Sequence, residues 1–256
     1  MNYKKELEIA KKAVKSAGEL VLRYFNSDYE TKIKQDDTSV TTADIESNKL
    51  LESILLKDFT DYGIISEEKS PIKPNAKYKW VIDPIDGTRG FKAGIDEFCI
   101  TVTLTKNNKP VVAVVYRPVT DELYHAVDNQ GAFKNSEPIE VSQVECINQS
   151  RMLVSDSEFK LDYMKELINE INPEEVSDMG STALKFCKVA EGDADFYITF
   201  GGNDRNIGAW DYLGPSLILK EAGGLFFKLN NSKHLPENRD YMFLVSTEYL
   251  NIDLFM

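Results

Sequence analysis

Two carboxylates bracket a Pro-Ile step in the string Asp83-Pro84-Ile85-Asp86-Gly87-Thr88. The string follows a β-prone run from Tyr78 to Asp83, so both carboxylates can point into one site at a strand end. Gly87 permits a sharp turn and close backbone approach. The N–H groups of Gly87 and Thr88 can then face an anion. The same residue types also make ordinary turns. Ser66-Glu67-Glu68-Lys69 leaves a second short run, Gly63 to Ile65. A carboxylate there would complete, with Asp83 and Asp86, an oxygen-lined site of the kind Mg²⁺ prefers. A Glu-Glu pair taken alone is more often solvated surface. Trp210-Asp211 precedes a helical stretch, Leu213 to Glu221, that stops at Gly223-Gly224. Asp211 is either the N-cap of that helix or a further ligand. Asp44, in Val40-Thr41-Thr42-Ala43-Asp44, fits a capping box with Thr41.

These groups need a scaffold. Leu7, Ala10, Val14, Ala17, Val21, Tyr24 and Phe25 recur at helical spacing, which predicts a first helix from Tyr3 to Phe25. A polar stretch follows, and Ile45, Leu51, Ile54 and Leu55 carry the apolar face of a second helix. Strands are expected at Gly63–Ser66, Tyr78–Asp83, Phe98–Thr105, Val111–Tyr116, Leu123–Val127 and Ile139–Val141, with a turn at Asn107-Asn108. The second half alternates: strand Met152–Val154, helix Phe159–Ile171, helix Thr182–Ala190, strand Phe196–Thr199, helix Leu213–Glu221, and strands Leu225–Phe227 and Phe243–Val245. The fold class is therefore mixed α/β (α+β), with sheets covered by helices in layers. One domain is expected over residues 1–256, built of two packed halves: about 1–145 with most acidic candidates, and about 146–256 with Asp211 and the substrate side.

Composition narrows the chemistry. The 256 residues are 42% hydrophobic and 28% charged, with a formal net charge of −12. A chain so acidic and without a basic stripe is not expected to bind nucleic acid. An anionic substrate would need bound divalent cations to invert the local sign. No apolar run nears the roughly 20 residues of a membrane span, and the charged N-terminus is unlike a secretory signal, so a cytoplasmic location is expected. Cys99, Cys146 and Cys187 are too scattered for a zinc site and are read as reduced thiols. His125 lies within a strand pattern, away from the acidic motifs, and is not expected to be a nucleophile.

Asp44, Glu67-Glu68, Asp83 to Thr88, Trp210-Asp211 and Gly223-Gly224 together resemble the lithium-sensitive phosphatase superfamily. Inositol monophosphatases, fructose-1,6-bisphosphatases and 3′(2′),5′-bisphosphate nucleotidases belong to it. The resemblance covers about Lys34 to Gly224 and implies a layered αβαβα sandwich of the inositol monophosphatase and sugar phosphatase type. Gly87-Thr88-Arg89-Gly90-Phe91, Leu184-Lys185-Phe186-Cys187 and Val189-Ala190-Glu191-Gly192 look most like the bacterial nucleotidases. Inositol monophosphatases tend to have Asn-Phe after the Gly-Thr pair. Departures are Thr38-Ser39 where the pattern has Ser-Pro, Leu213-Gly214-Pro215 after Trp-Asp, and a long loop from Gly201 to Ala209 holding Asn203, Asp204 and Arg205. They leave the ligand positions intact and fall on the substrate side.

The resemblance implies roles. Glu67, Asp83 and the Ile85 carbonyl would bind one Mg²⁺; Asp83, Asp86 and Asp211 would bind a second; a third, weaker ion would sit near Glu67. The Thr88 hydroxyl, polarised by Asp44, would orient the attacking water, and Glu67 belongs to the same catalytic group. Gly87 and Thr88 amides, with Ser181, Thr182 and Lys185, would bind substrate. Arg89, Lys92 and Arg205 are further candidates for a second phosphate. Lys185 is otherwise a solvated face residue, and Ser181 and Thr182 otherwise cap a helix. The implied reaction is Mg²⁺-dependent, lithium-sensitive hydrolysis of the 3′-phosphate of adenosine 3′,5′-bisphosphate to AMP. Inositol monophosphatase or fructose-1,6-bisphosphatase activity on the same metals is the alternative. A non-catalytic regulatory relative that partners RNA or the transcription machinery is the reading from another class. The resemblance also suggests a homodimer.

Overall fold

Alternation along one strand sets the layering. Ile100, Val102 and Leu104 face one way, while Cys99, Thr101 and Thr103 face the other, and all six are buried. A strand buried on both faces must lie between two helical layers. A computed structural model provides the architecture. It describes residues 3–25, 27, 31–33, 39–202, 207–230, 232, 234–236, 239–253 and 255, with backbone alone at 31–33, 39 and 40.

The outer layer is α1 (Lys4–Tyr24) and α2 (Thr42–Asp58). Ala10, Ala13, Val14, Ala17 and Val21 form the buried stripe of α1. A short antiparallel pair, β1 (Thr31–Ile33) and β2 (Ser39–Thr41), leads into α2. Its N-cap is Thr41, whose hydroxyl accepts the Asp44 amide while the Asp44 carboxylate accepts the Thr41 amide: the expected capping box.

Beneath lies a seven-stranded sheet: β3 (Gly63–Ser66), β4 (Tyr78–Asp86), β5 (Cys99–Lys106), β6 (Lys109–Arg117), β7 (Glu122–Val127), β8 (Ala132–Lys134) and β9 (Glu137–Ile139), hydrogen-bonded in that order. Only the β3–β4 pair is parallel. Asn107 and Asn108 both have positive φ and form the β5–β6 turn. A five-residue helix, α3 (Thr88–Lys92), follows β4 after Gly87.

The second half contains β10 (Arg151–Ser155), α4 (Asp162–Ile171), β11 (Glu175–Met179), α5 (Thr182–Ala190), β12 (Phe196–Gly201), α6 (Ala209–Glu221), β13 (Gly224–Leu229) and β14 (Tyr241–Thr247). Its five strands run β11-β10-β12-β14-β13. α5 and α6 fill the space between the sheets: Ala183, Phe186, Leu217 and Ile218 share one core with Ala113 and Val115 from one sheet and Tyr197 and Val245 from the other. α4 covers the far face of the smaller sheet through Met164, Leu167 and Ile171. The order helix, sheet, helix, sheet, helix is the expected αβαβα sandwich. No helix among the described residues is long and apolar enough to cross a membrane.

Several local expectations need correction. β4 does not stop at Asp83 but continues to Asp86. The helix expected from Phe159 begins at Asp162, because residues 158–161 turn on hydrogen bonds to Ser155 and Glu158 carbonyls. Val141 is outside β9 and pairs instead with the Ala222 carbonyl. β11, Glu-Val-Ser-Asp-Met, was not expected; as an edge strand it carries little apolar alternation. α6 begins at Ala209 rather than Leu213, so Asp211 lies inside the first turn and Gly208 is the N-cap.

Candidate active site

The pairing of β4 with β5 is regular to Asp83, opposite Thr101, and resumes at Asp86, opposite Cys99. Pro84 and Ile85 lie in the irregularity between them. Proline cannot donate to a ladder, and a bulge re-aims the side chains beside it. Asp83 is 1% exposed and Asp86 7%. The Ile85 amide donates to Asp83 Oδ1 at 3.0 Å, and the Thr88 hydroxyl donates to the Ile85 carbonyl at 3.1 Å. Ser47 of α2 donates to the Pro84 carbonyl at 3.3 Å. Gly87 turns the chain with φ of 94°, and a Cβ there would lie 2.4 Å from the Glu97 carbonyl oxygen, so only glycine fits.

Directly opposed residues on antiparallel strands share a face. Thr101 and Cys99 therefore stand beside Asp83 and Asp86, and each reaches another element. The Thr101 hydroxyl donates to the Trp210 carbonyl at 3.2 Å, beside Asp211. The Cys99 thiol lies 3.5 Å from the Ser181 hydroxyl and 3.8 Å from Asp86 Oδ2. α6 can come this close because Gly214 has no side chain; a Cβ there would lie 2.1 Å from Thr103 Oγ1. Asp211 Oδ2 accepts the Gly208 amide at 2.6 Å. As a result Asp83, Asp86 and Asp211 each offer a carboxylate oxygen within 4.8 Å of the other two.

Burial raises the Asp83 pKa well above the usual carboxylate value, and the charges of Glu67, Asp86, Asp211 and Asp44 raise it further. Glu67 is half-buried and is the strongest of these charges, although it is not in the close set of three. Such a gathering is costly unless a cation joins it. The donors are hard oxygens, and the adjacent Cys99 thiol is held protonated, since burial and then Asp86 push its pKa well up. This donor set fits Mg²⁺ and does not fit a thiophilic metal.

Asp86 also belongs to the start of α5. Its Oδ2 accepts the Ser181 hydroxyl at 2.5 Å and the Ala183 amide at 2.7 Å, and its Oδ1 accepts the Thr182 amide at 3.4 Å. Ser181 is fully buried and its oxygen accepts the Leu184 amide at 3.0 Å as the N-cap. The Ser181 hydroxyl, expected to bind substrate, here holds a carboxylate instead, while Thr182 contributes its amide to the same carboxylate. Lys185 is no solvated face residue: it is fully buried, donates to the Met179 carbonyl at 2.8 Å and the Gly180 carbonyl at 3.4 Å, and lies 5.0 Å from the Tyr197 ring centre. Lysine's long stem and three donors allow it to tie this turn from within.

Asp44 is buried, with its Oδ2 accepting both the amide (2.7 Å) and the hydroxyl (2.5 Å) of Thr41. Arg89 and Lys92 are exposed; Arg89 approaches Ser157 Oγ at 3.3 Å and Asp156 Oδ1 at 3.5 Å. Asn203, Asp204 and Arg205 lie outside the described residues. His125 lies in β7 with its Nε2 3.2 Å from the Asn135 carbonyl and its ring stacked on Phe133, and burial and then Lys11 lower its pKa to about 4. Three site residues escaped the sequence reading. They are Thr101 and Cys99, and Glu97, whose carboxylate accepts the Gly180 amide at 2.8 Å. The available signal for the first two was a polar residue every second position in an otherwise apolar strand.

A sequence model of the inositol monophosphatase family matches residues 2–250. The chain is 30% identical to a fructose-1,6-bisphosphatase/inositol-1-monophosphatase of Aquifex aeolicus, over 88% of this chain and 86% of that one. It is 29% identical to the 3′(2′),5′-bisphosphate nucleotidase CysQ of Haemophilus influenzae, over 82% and 80%. The extragenic suppressor protein suhB of Bartonella henselae superposes with a TM-score of 0.84 over 96% of this chain and 95% of that one, at 24% identity, a likeness of fold alone.

Proposed function

The chain belongs to the inositol monophosphatase family, and from that premise we propose that it hydrolyses the 3′-phosphate of adenosine 3′,5′-bisphosphate, giving AMP and phosphate. Membership makes it a phosphoric monoester hydrolase for a small phosphorylated substrate, in a family that depends on Mg²⁺. The observation that carries the reading is the convergence of Asp83, Asp86 and Asp211 within 4.8 Å. Those three, with Glu67 and the Ile85 carbonyl, are the groups that would hold Mg²⁺. Bound there, Mg²⁺ supplies the positive charge that makes water a nucleophile near neutral pH and offsets the charge of the phosphate.

The protein's own groups do the rest. The Thr88 hydroxyl, which donates to the Ile85 carbonyl in this fold, would turn that proton towards Asp44, its polarising carboxylate, to orient the water. The Gly87 and Thr88 amides meet phosphate oxygens as charge builds on them. The water oxygen forms the new bond to phosphorus, the bond to the ribose 3′-oxygen breaks, and that oxygen leaves with a proton.

The nucleotide is favoured by the Gly87 to Phe91 segment and by the exposed Arg89 guanidinium, which suits a second phosphate. Inositol monophosphatase or fructose-1,6-bisphosphatase activity is the second reading. The burial of Lys185 favours it, since that cation faces backbone carbonyls. Phosphate release with Mg²⁺ from adenosine 3′,5′-bisphosphate, inositol 1-phosphate and fructose 1,6-bisphosphate separates the two. The highest kcat/KM is expected on the nucleotide. Preference for either other substrate replaces the first reading with the second, and no release from any of them rejects both.

A further inference from the structure

Asp211 sits on a helix that is poorly built to hold it. Gly214 and Pro215 occupy the second turn of α6. Both residues disfavour a helix interior. Pro215 has no N–H, so the helical bond from position 215 to the Asp211 carbonyl cannot form. What fixes this segment comes from β5. Thr103 packs against Gly214, and the fully buried Thr101 donates its hydroxyl to the Trp210 carbonyl at 3.2 Å. Thr101 is also the cross-strand partner of Asp83. One residue therefore touches the backbone beside one carboxylate while paired with the strand position of another.

We propose that Thr101 is a positioning residue that sets the distance between Asp211 and the Asp83–Asp86 pair through its hydroxyl on the Trp210 carbonyl. The proposal rests on the reading that these carboxylates hold a divalent cation. A loss of that hydrogen bond removes no carboxylate but frees the α6 end that carries Asp211. Cation affinity then falls because the ligand oxygens no longer arrive pre-arranged. Thr105 supplies an internal comparison: on the same strand it donates to the Lys79 carbonyl at 3.1 Å, with no link to α6.

The test is binding of Mn²⁺, an oxygen-seeking stand-in for Mg²⁺, followed by electron paramagnetic resonance on the intact protein alongside its melting temperature. Thr101→Val should weaken Mn²⁺ binding about five- to tenfold, the worth of one buried hydrogen bond. Thr101→Ser should restore it. Thr105→Val should lower the melting temperature and leave Mn²⁺ affinity at the wild-type value. Wild-type affinity in Thr101→Val, or equal weakening in Thr105→Val, overturns the proposal while the metal reading stands. A wild-type protein that binds no Mn²⁺ overturns the metal reading and this proposal with it. Should Thr101→Val fail to fold, Thr101→Ala compared with Thr101→Ser asks the same question of the hydroxyl.

Discussion

The Ser181 hydroxyl donates to Asp86 across 95 positions of sequence, at 2.5 Å. The same serine oxygen accepts the Leu184 amide, so one hydroxyl joins the end of β4 to the start of α5. Asp86 in turn receives the Ala183 amide. A carboxylate at a helix N-terminus is stabilising in its own right. Asp86 is therefore at once a candidate ligand and a structural tie between the large sheet and the inner helices. An Asp86→Asn change brings an NH₂ group among donors, so it disturbs α5 as well as the cation site.

Asp83→Asn is the cleaner probe. The folded-state pKa of Asp83 is raised, first by burial and then by Glu67, Asp86, Asp211 and Asp44. A raised carboxylate pKa means that the metal-free fold favours the protonated form. That contribution is present at acid pH and is lost as pH rises through the folded-state pKa. Asparagine keeps an acceptor for the Ile85 amide and cannot charge. Asp83→Asn should thus raise the metal-free melting temperature at pH 7–8, with the gain shrinking towards acid, and turnover should be nearly abolished. Mg²⁺ should raise the wild-type melting temperature and leave that of the variant almost unchanged. A metal-free variant less stable than wild type at pH 8 contradicts this account.

For Ser181→Ala, two roles give opposite patterns. As a cap and a holder of Asp86, Ser181 should contribute about 1 kcal/mol, or roughly 2–4 °C in melting temperature. The Mg²⁺ concentration for half-maximal activity should rise, and KM for substrate at saturating Mg²⁺ should not. As a substrate hydroxyl, it should raise KM and leave the melting temperature alone. Thermal denaturation and a Mg²⁺ titration of rate decide between them.

How much of this could be read from the chain depended on how local each signal was. The Asp83 to Thr88 string, the Thr41–Asp44 capping box and the α5 span follow from short-range patterns, and the structure has them where expected. The convergence on Asp211 depends on Gly214 and Thr101, residues more than 100 positions apart that only the β5–α6 packing brings together. β11 lacks the alternation that betrays an inner strand. Lys185 read as a phosphate-binding cation at a helix start, or otherwise as a solvated face residue; its burial depends on the Met179 and Gly180 carbonyls that a separate turn presents.

Gly87→Ala tests the turn. The residue has φ of 94°, and a new Cβ would lie 2.4 Å from the Glu97 carbonyl oxygen, a backbone atom that cannot swing aside. The Gly87 to Thr88 segment must shift, at a cost of about 1–3 kcal/mol for the backbone strain alone. Since Thr88 and Asp86 flank it, turnover should fall by about fivefold to a hundredfold by that energy even where the protein stays folded by circular dichroism. A variant with normal kinetics would mean that this turn has no part in the reaction.

Lys185→Met now carries an expectation different from the one its sequence position suggested. A cation at a helix start looked suited to a second phosphate, and its removal would then harm a bisphosphate substrate alone. In the fold, its ammonium group is buried against the Met179 and Gly180 carbonyls and above Tyr197. Methionine keeps the apolar stem and removes those donors, leaving carbonyls exposed to a penalty of about 1–3 kcal/mol. Gly180 precedes Ser181, whose hydroxyl holds Asp86, so slack in this turn reaches the cation site rather than one end of the substrate. The variant should melt at a lower temperature. It should lose kcat/KM by a similar factor on adenosine 3′,5′-bisphosphate and on inositol 1-phosphate, whichever of them the wild-type protein hydrolyses, and added Mg²⁺ should recover part of the rate. A loss confined to the bisphosphate, with an unchanged melting temperature, would instead place the ammonium group on the substrate.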